Sequence, residues 1–346
     1  MRLKQFNGLL LALAATLTLQ KGGWQDQSSG TNARLRGVSA VDERIAWASG
    51  SQGTCLRTTD GGASWKTLVV ASDASALDFR DIDAFDAQTA YILSIGEGEK
   101  SRIFKTVDGG QHWKLQFTNR NPKAFFDAMA FWDSTHGIAV SDPVDGKFLT
   151  ISTDDGGVTW KENPAAKMPA AAEREGAFAA SGSCITAGGR GNAWFGTGGG
   201  AARVFRTLDW GASWQVSSTP IRCDKASAGI FSIAFRDARH GIIVGGDYAS
   251  ESDASNNAAT TSDGGRTWNP VKASVPDGFR FGVAWLHRAR EFVAAGPSGT
   301  DYSSDDGLTW SRLGRPGYHA ISFAASAGWG VGERGRIGRF EYKGGR

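Results

Sequence analysis

An eight-residue motif that recurs along the chain constrains the fold more than any other feature of the sequence. Six segments fit the pattern S/T-x-D-x-G-x-S/T/H-W, and they begin at positions 58, 106, 153, 207, 261 and 303. Their aspartates are 42 to 54 residues apart. A period in this range is typical of repeat architectures, in which each unit is one supersecondary element. The chain of 346 residues therefore predicts a series of similar units.

Each unit contains the same order of short apolar segments. The second unit, for example, reads FRDIDAF, TAYILSI and SRIFKT, followed by WKLQFT from the motif tryptophan onward. Apolar runs of this length, separated by Gly, Asp and Asn, predict strands and hairpins, and helical periodicity is missing from the sequence. In the fourth unit, the first strand is predicted at GAFAASG, residues 176–182. Four antiparallel strands per unit form the blade of a β-propeller.

The number of blades follows from a mismatch between strands and motifs. Seven candidate first strands are present but only six motifs, and the last unit supplies three strands. The segment WQDQSS at 24–29 matches WQVSST at 214–219, which is a fourth strand. We therefore predict an all-β fold, a single seven-bladed propeller over residues 21–346 whose last blade is closed by the N-terminal strand. This closure removes two open sheet edges that would invite aggregation.

The first twenty residues have a different character. Arg2 and Lys4 precede an apolar run at 8–19, and a polar segment follows. This order predicts a signal peptide at 1–20 and export to the periplasm or the extracellular space; a buried helix is the alternative, but nothing amphipathic follows. The formal charge of +3 is spread over interspersed acids and bases, which argues against nucleic-acid binding. We expect a monomer without a stable membrane span after cleavage.

The cysteines and one glycine-rich segment were considered as possible sites. An exported protein could pair two of Cys55, Cys184 and Cys223, and Cys184 and Cys223 are the closer pair in sequence; the alternative is that no disulfide forms. No Cys/His spacing resembles a zinc site, and we expect neither metal nor cofactor. GTGGGA at 196–201 matches a dinucleotide fingerprint, but strands are predicted on both sides, so it is expected to be a hairpin turn.

The repeated motif is expected to be scaffold. Its aspartate can accept hydrogen bonds from nearby backbone N–H groups, its glycine can adopt the turn conformation, and its tryptophan can pack between neighbouring sheets. Calcium binding is the alternative, but one carboxylate per turn is too few ligands for a tight site. Six copies also argue against catalysis. The predicted scaffold residues are Asp60, Trp65, Asp108, Trp113, Asp155, Trp160, Asp209, Trp214, Asp263, Trp268, Asp305 and Trp310.

The motif is similar to the Asp-box, or BNR, repeat of bacterial sialidases, sortilin-type receptors and some glucan-degrading propellers. The spacing, the seven units and the segments HGIAV and HGIIV most resemble the photosystem II stability/assembly factor-like family of seven-bladed propellers. The resemblance covers about residues 24–342. It implies an exported, non-catalytic propeller that binds protein partners during assembly. Nothing in the sequence indicates a photosynthetic host, so the photosystem partner is not carried over.

The candidate binding residues are those that the alignment of first strands and loops would place at the mouth of the central channel. These residues come from one aligned position in the first strands and from the loops between second and third strands. Their guanidinium groups would suit a polar or anionic ligand or a partner protein. The alternative is that these charges pair with one another around a water-filled channel. Phe125 and Phe126 are expected to be exposed nearby, and the polar segment 247–260 to form a long loop on this face. The candidates are Arg36, Arg80, Asp127, Asp142, Glu175, Phe231, Asp247, Tyr248, Arg280, His319, Glu333 and Arg334.

A glycoside hydrolase is the alternative function. Asp127 and Glu175, from adjacent blades, would be its two carboxylates, and Tyr248 would be the nucleophile of a sialidase-like enzyme. The resemblance to sialidases argues against this role in two respects. Sialidases have six blades and an F/Y-R-I-P motif, whereas LRGV and FRDI in this chain lack the proline.

Overall fold

Seven antiparallel sheets form a closed ring in the computed structural model, which describes residues 22–325 and 327–341. The first strand of every blade contacts the first strands of the blades before and after it, so these strands surround the central axis. The predicted all-β, seven-bladed propeller is confirmed. The predicted signal peptide at 1–20 lies outside the described residues.

The strands of each blade follow one another from the axis outward. Those of blades 1 to 3 are Leu35–Ala40, Ala46–Gly50, Cys55–Thr58 and Lys66–Leu68; Asp78–Ala84, Ala90–Ile95, Arg102–Thr106 and Lys114–Thr118; Phe126–Phe131, Gly137–Val144, Lys147–Thr153 and Lys161–Glu162. Those of blades 4 and 5 are Ile185–Gly188, Asn192–Gly196, Arg203–Thr207 and Gln215–Ser218; Ala228–Phe235, Gly241–Asp247, Ala258–Thr261 and Asn269–Pro270. Those of blades 6 and 7 are Gly282–Leu286, Glu291–Gly296, Gly299–Ser303 and Ser311–Gly314; Ala320–Phe323, Ala327–Val331, Ile337–Glu341 and Gly23–Gln27. The helices are single 3-10 turns at Ala74–Ala76, Gly98–Lys100, Ala165–Lys167 and Glu333–Gly335.

The N-terminal strand closes the ring as predicted. Gly23–Gln27 pairs antiparallel with Ile337–Glu341, so the two ends of the described chain share blade 7. The ring of Trp24 lies 4.6 Å from that of Tyr318, and its Nε1 donates to Thr300 Oγ1 at 3.0 Å in blade 6. The closing strand therefore ties the last blade to its neighbour as well as completing its sheet.

The core consists of layers of apolar side chains between neighbouring blades. A motif tryptophan packs into six of these layers, and Trp24 packs into the seventh, between blades 6 and 7. Trp24 thus occupies the position that a motif tryptophan would take, although it has no motif before it. Because Trp24 and the motif tryptophans share this position, the segment WQDQSS resembles the fourth strands that follow the motifs.

Each motif forms a turn that is closed by its own side chains. Thr58 donates from Oγ1 to Asp60 Oδ1 at 2.8 Å and accepts the Gly62 N–H at 2.8 Å, and Ser64 donates to both oxygens of Asp60. The hydroxyl–aspartate and glycine–hydroxyl bonds recur in all six copies at 2.8 to 3.0 Å. The hydrogen bonds from Ser64 and Thr58 lower the pKa of Asp60 to about 2. Gly62 has φ +83°, which favours glycine.

The fourth blade differs from the prediction. Its first strand is Ile185–Gly188, not residues 176–182. Glu175–Gly176 instead pairs with Gly198–Gly199, which adds to the inner edge of blade 5. A Cβ on Gly229 would lie 2.3 Å from the Gly198 Cα, so only glycines allow this approach of two backbones. The GTGGGA segment accordingly lies between two antiparallel strands, as predicted, and it supplies the added pair.

Residues 177–183, which we call the central segment, run across the middle of the ring. The Ala179 carbonyl accepts from Arg80 of blade 2 at 2.7 Å, and the Ala177 N–H donates to Asp142 of blade 3 at 2.9 Å. Ser181 donates to the Phe281 carbonyl at 3.1 Å next to blade 6. A segment of small residues can follow this path because it needs little space, and it occupies part of the channel that the sequence predicts to be open.

The described part of the chain also gives findings on the cysteines, on metal ligands and on membrane-spanning helices. Cys55, Cys184 and Cys223 are all free thiols, so Cys184 and Cys223 form no disulfide. Among residues 22–325 and 327–341, no group of three His, Cys, Asp or Glu side chains could hold a metal ion. Within the same ranges, no helix is long and apolar enough to cross a membrane.

Candidate functional site

A cavity of about 1510 Å³ lies at the centre of the ring. Its walls come from connections between blades, loops between second and third strands, and the central segment. None of the described residues that line it belongs to one of the six motifs. The predicted residues that line it are Arg36, Arg80, Asp127, Asp142, Phe231, Tyr248, His319, Glu333 and Arg334.

Register shifts in the first strands aim four of these side chains at the cavity. In blades 1, 2, 3 and 5 the pairing of the first and second strands skips one residue. A bulge of this kind bends the strand and turns the extra side chain away from the alternating pattern. The skipped residues are Arg36, Arg80, Asp127 and Phe231.

Arg36 is a buried cation without a carboxylate partner among the described residues. It is 7% exposed, its Nε has no hydrogen-bond partner, and its Nη1 reaches only the Ala180 carbonyl at 3.4 Å. The guanidinium lies 5.6 Å from the centre of the Phe281 ring. Burial, and then the charges of Arg80 and Arg34, lower the pKa of Arg36 to about 10. Arg36 therefore stays charged at neutral pH while its charge is poorly compensated.

The neighbouring basic groups are better satisfied. Arg80 donates to Asp78 from Nε at 2.9 Å and from Nη2 at 2.8 Å. His319 donates from Nδ1 to the Leu35 carbonyl at 3.0 Å, and its Nε2 lies 3.2 Å from Glu333. Burial, and then the charge of Arg36, lower the pKa of His319 to about 4, so its ring is neutral at pH 7. The positive potential of this wall comes from its arginines.

Two carboxyl groups of blade 3, Asp127 and Asp142, form what we call the acidic corner. Asp127 is 1% exposed, and its Oδ2 has no hydrogen-bond partner in the described chain. Burial, and then the charge of Asp142, raise the pKa of Asp127 well above its ordinary value. Burial also raises the pKa of Asp142, against the hydrogen bond from Ala177. The cavity therefore contains a cation and two carboxyl groups whose ionised forms are poorly compensated by its own residues.

Aromatic rings form the remaining wall. Phe178 of the central segment stacks on Phe231 with ring centres 3.9 Å apart, and Phe281 lies 4.8 Å from His319. Tyr248, the first residue of the loop that runs from 248 to 257, is half exposed and lines the cavity. Phe125 also lines it, but Phe126 is completely buried between blades 2 and 3, so the expectation that Phe126 is exposed was wrong.

Three predicted residues are not brought into the cavity. The Glu175 carboxylate is held by Arg203 and by Thr197, whose hydroxyl donates at 2.6 Å. Arg280 is fully buried and donates from Nε to Asp301 at 3.0 Å. Asp247 is 1% exposed and lies 3.3 Å from Lys225 Nζ. Each charge has a partner within its own blade or the adjoining connection, and none of these partners is one of the predicted candidates.

The central segment is the part of the site that the sequence did not reveal. The sequence predicted residues 176–182 as the first strand of the fourth blade, which placed this segment in the wall of the channel and not across it. Ala177, Phe178, Ala179 and Ala180 line the cavity.

The similarity of this chain to known proteins lies in its structure. No protein-family model matches the sequence, and no curated protein matches it. Similar solved structures include YCF48 bound to D1 peptide, with a TM-score of 0.65 and 17% identity over 92% of this chain and 96% of that one. YCF48 from Cyanidioschyzon merolae has the same score and identity over 92% and 99%. The WD40 propeller domain of Doa1 matches with a TM-score of 0.61 and 11% identity over 92% and 97%.

A propeller that is named as a lyase has a similar TM-score. Virginiamycin B lyase from Staphylococcus aureus has a TM-score of 0.63 and 13% identity over 93% of this chain and 99% of that one. At these identities the likeness shows the propeller fold alone.

Proposed function

We propose that this protein is a binding or assembly propeller that holds a segment of a partner protein in its central cavity. The observation that carries the proposal is Arg36, a buried guanidinium that lines the cavity and has no carboxylate partner in the described chain. A buried charge is costly unless it is paired, so its retention favours an anionic group supplied by a ligand. A carboxylate can receive two hydrogen bonds from such a guanidinium.

The size and the walls of the cavity favour a peptide over a small molecule. About 1510 Å³ exceeds the 300–1,000 Å³ of usual small-molecule pockets. Stacked aromatic rings beside charged groups suit a segment with mixed side chains. One of the structural neighbours, YCF48 bound to D1 peptide, is consistent with peptide binding on this architecture.

The hydrolase alternative has less support from the geometry. Glu175 does not line the cavity, and its carboxylate is already bound by Arg203 and Thr197. The two carboxylates proposed for catalysis therefore do not face a common space. Asp127 retains the raised pKa expected of a general acid, but it has no nucleophile assigned opposite to it.

The proposal is tested on an array of random hexapeptides probed with labelled protein. We expect the wild type to retain peptides enriched in Asp and Glu, and Arg36→Gln to bind the retained peptides at least about tenfold more weakly, the value of one lost hydrogen bond to a charged group. Arg266→Gln is the matched control, because Arg266 is exposed in a motif turn and does not line the cavity. Failure of the wild type to retain any peptide, or equal binding by Arg36→Gln, would contradict the proposal.

A further inference from the structure

The acidic corner is built by two separate irregularities in one blade. Asp127 is skipped where the first and second strands of blade 3 change register. Asp142 is skipped where the second and third strands change register. Both side chains line the cavity as a result. Bulges re-aim side chains, and two of them that converge on one corner indicate a constructed site.

The ionised forms of the two carboxyl groups are poorly compensated by their surroundings. Asp127 Oδ2 has no hydrogen-bond partner in the described residues, and Asp142 accepts one bond from the Ala177 N–H. Arg80 of blade 2 is the cation whose charge acts on Asp127, and the uncharged, buried thiol of Cys184 lies near both carboxyl groups. Arg80 gives its hydrogen bonds to Asp78 and the Ala179 carbonyl instead. A cation from outside the chain would offset the burial of both carboxyl groups.

The surroundings of the corner select the kind of cation. Within the described chain no third His, Cys, Asp or Glu is placed to complete a metal site. Phe125 and Phe178 line the cavity, and their backbones adjoin Asp142, which donates its N–H to the Phe125 carbonyl at 3.0 Å. Aromatic rings that line the same cavity as two carboxyl groups suit a lysine, whose methylene stem packs on apolar surface while its ammonium provides three donors.

We propose that the acidic corner is a subsite for the side-chain ammonium of a lysine in the bound segment. The subsite rests on the proposed function, since it supposes that a partner segment enters the cavity. It adds a second point of recognition, so that the partner presents an anion to Arg36 and a lysine to Asp127 and Asp142. Two charges of opposite sign at fixed separation set the direction and register of the segment.

The test compares peptides that differ only in the ammonium group. Lysine-containing hexapeptides retained by the wild type are resynthesised with norleucine, which keeps the four-carbon stem without the charge, and their affinities are measured by fluorescence anisotropy. We expect the norleucine peptides to bind the wild type at least about tenfold more weakly. Asp127→Asn and Asp142→Asn should bind both forms with equal affinity. Asp145→Asn, which removes an exposed carboxylate of the same blade, should keep the wild-type preference.

The outcomes separate this subsite from the proposed function. Equal binding of lysine and norleucine peptides by the wild type would overturn the lysine subsite, and the dependence on Arg36 would still stand. A preference that persists in both Asp127→Asn and Asp142→Asn would overturn it as well. If the wild type retains no peptide, the proposed function and the subsite fall together. Both substitutions keep the size of the side chain, and agreement between the two variants guards against a local distortion in one of them.

Discussion

The carboxyl groups of the motif turns and those of the cavity have opposite environments. In the turns, Asp60 accepts hydrogen bonds from Thr58 and Ser64, and these lower its pKa to about 2. In the cavity, Asp127 has an oxygen without a partner in the described chain, and burial raises its pKa. Aspartate side chains therefore stabilise the turns through hydrogen bonds, whereas at the centre of the ring an aspartate is left without a full set of hydrogen bonds.

This difference separates scaffold from site by a physical criterion. A carboxylate that is bonded on both oxygens by its own turn has little capacity left for a ligand. A buried carboxyl without partners reduces stability, and such costs are retained at functional sites. Arg36 meets the same criterion with the opposite charge, because its Nε is buried without a partner in the described residues. Substitutions in the motif turns and in the cavity should therefore have different effects on the stability of the protein.

The largest effect is expected from removal of the strand that closes the ring. Deletion of residues 22–30 leaves the Ile337–Glu341 strand as an open edge and empties the position of Trp24 between blades 6 and 7. We expect loss of cooperative unfolding or self-association, measured by thermal melting and by size-exclusion chromatography. A synthetic peptide of residues 22–30 added in trans should restore the melting transition. An unchanged melting curve of the deletion variant would show that closure does not hold the ring.

A smaller loss is expected from one motif turn. In Thr153→Val, the hydroxyl that donates to Asp155 and accepts the Gly157 N–H at 2.8 Å is replaced by a methyl group of similar size. The buried N–H is left unsatisfied, so the free energy of unfolding in urea should fall by about 1–3 kcal/mol. Thr153→Ser keeps the hydroxyl, so its free energy of unfolding should fall by less than that of Thr153→Val. Equal losses in the two variants would mean that the methyl group, and not the hydrogen bonds, stabilises the turn.

The sequence predicts the ring much better than its centre. The period, the strands and the closing role of Trp24 are visible because each depends on residues at fixed offsets within a repeat. Arg36, Arg80 and Asp127 line the cavity because the same register shift recurs in the first strands of blades 1, 2 and 3, and His319 lines it from the position before the first strand of blade 7. Glu175 was misplaced because the fourth unit departs from the repeat, and Arg280 because its partner Asp301 lies on another strand. Which charge pairs with which is decided by contacts between segments, and a repeat pattern does not contain them.

The smallest effect, with the opposite sign, is expected from Asp127→Asn. The folded-state pKa of Asp127 is raised, so the folded protein binds a proton more tightly than the unfolded chain, and wild-type stability falls as pH rises above about 4, the pKa of an unfolded aspartate. The asparagine amide of Asp127→Asn does not ionise in this pH range, so the variant lacks this pH dependence. The free energy of unfolding of Asp127→Asn, measured in urea at pH 7, should therefore be about 1 kcal/mol higher than that of the wild type, and this difference should shrink toward pH 4. Asp60→Asn is the comparison: the lowered pKa of Asp60 supplies stability above about pH 4 that disappears as pH falls toward 2, so this variant should be the less stable one at pH 7. If Asp127→Asn destabilises the protein at pH 7 as Asp60→Asn does, Asp127 stabilises the fold in the same way as the motif aspartates. The proposed difference between the aspartates of the turns and those of the cavity would then be wrong.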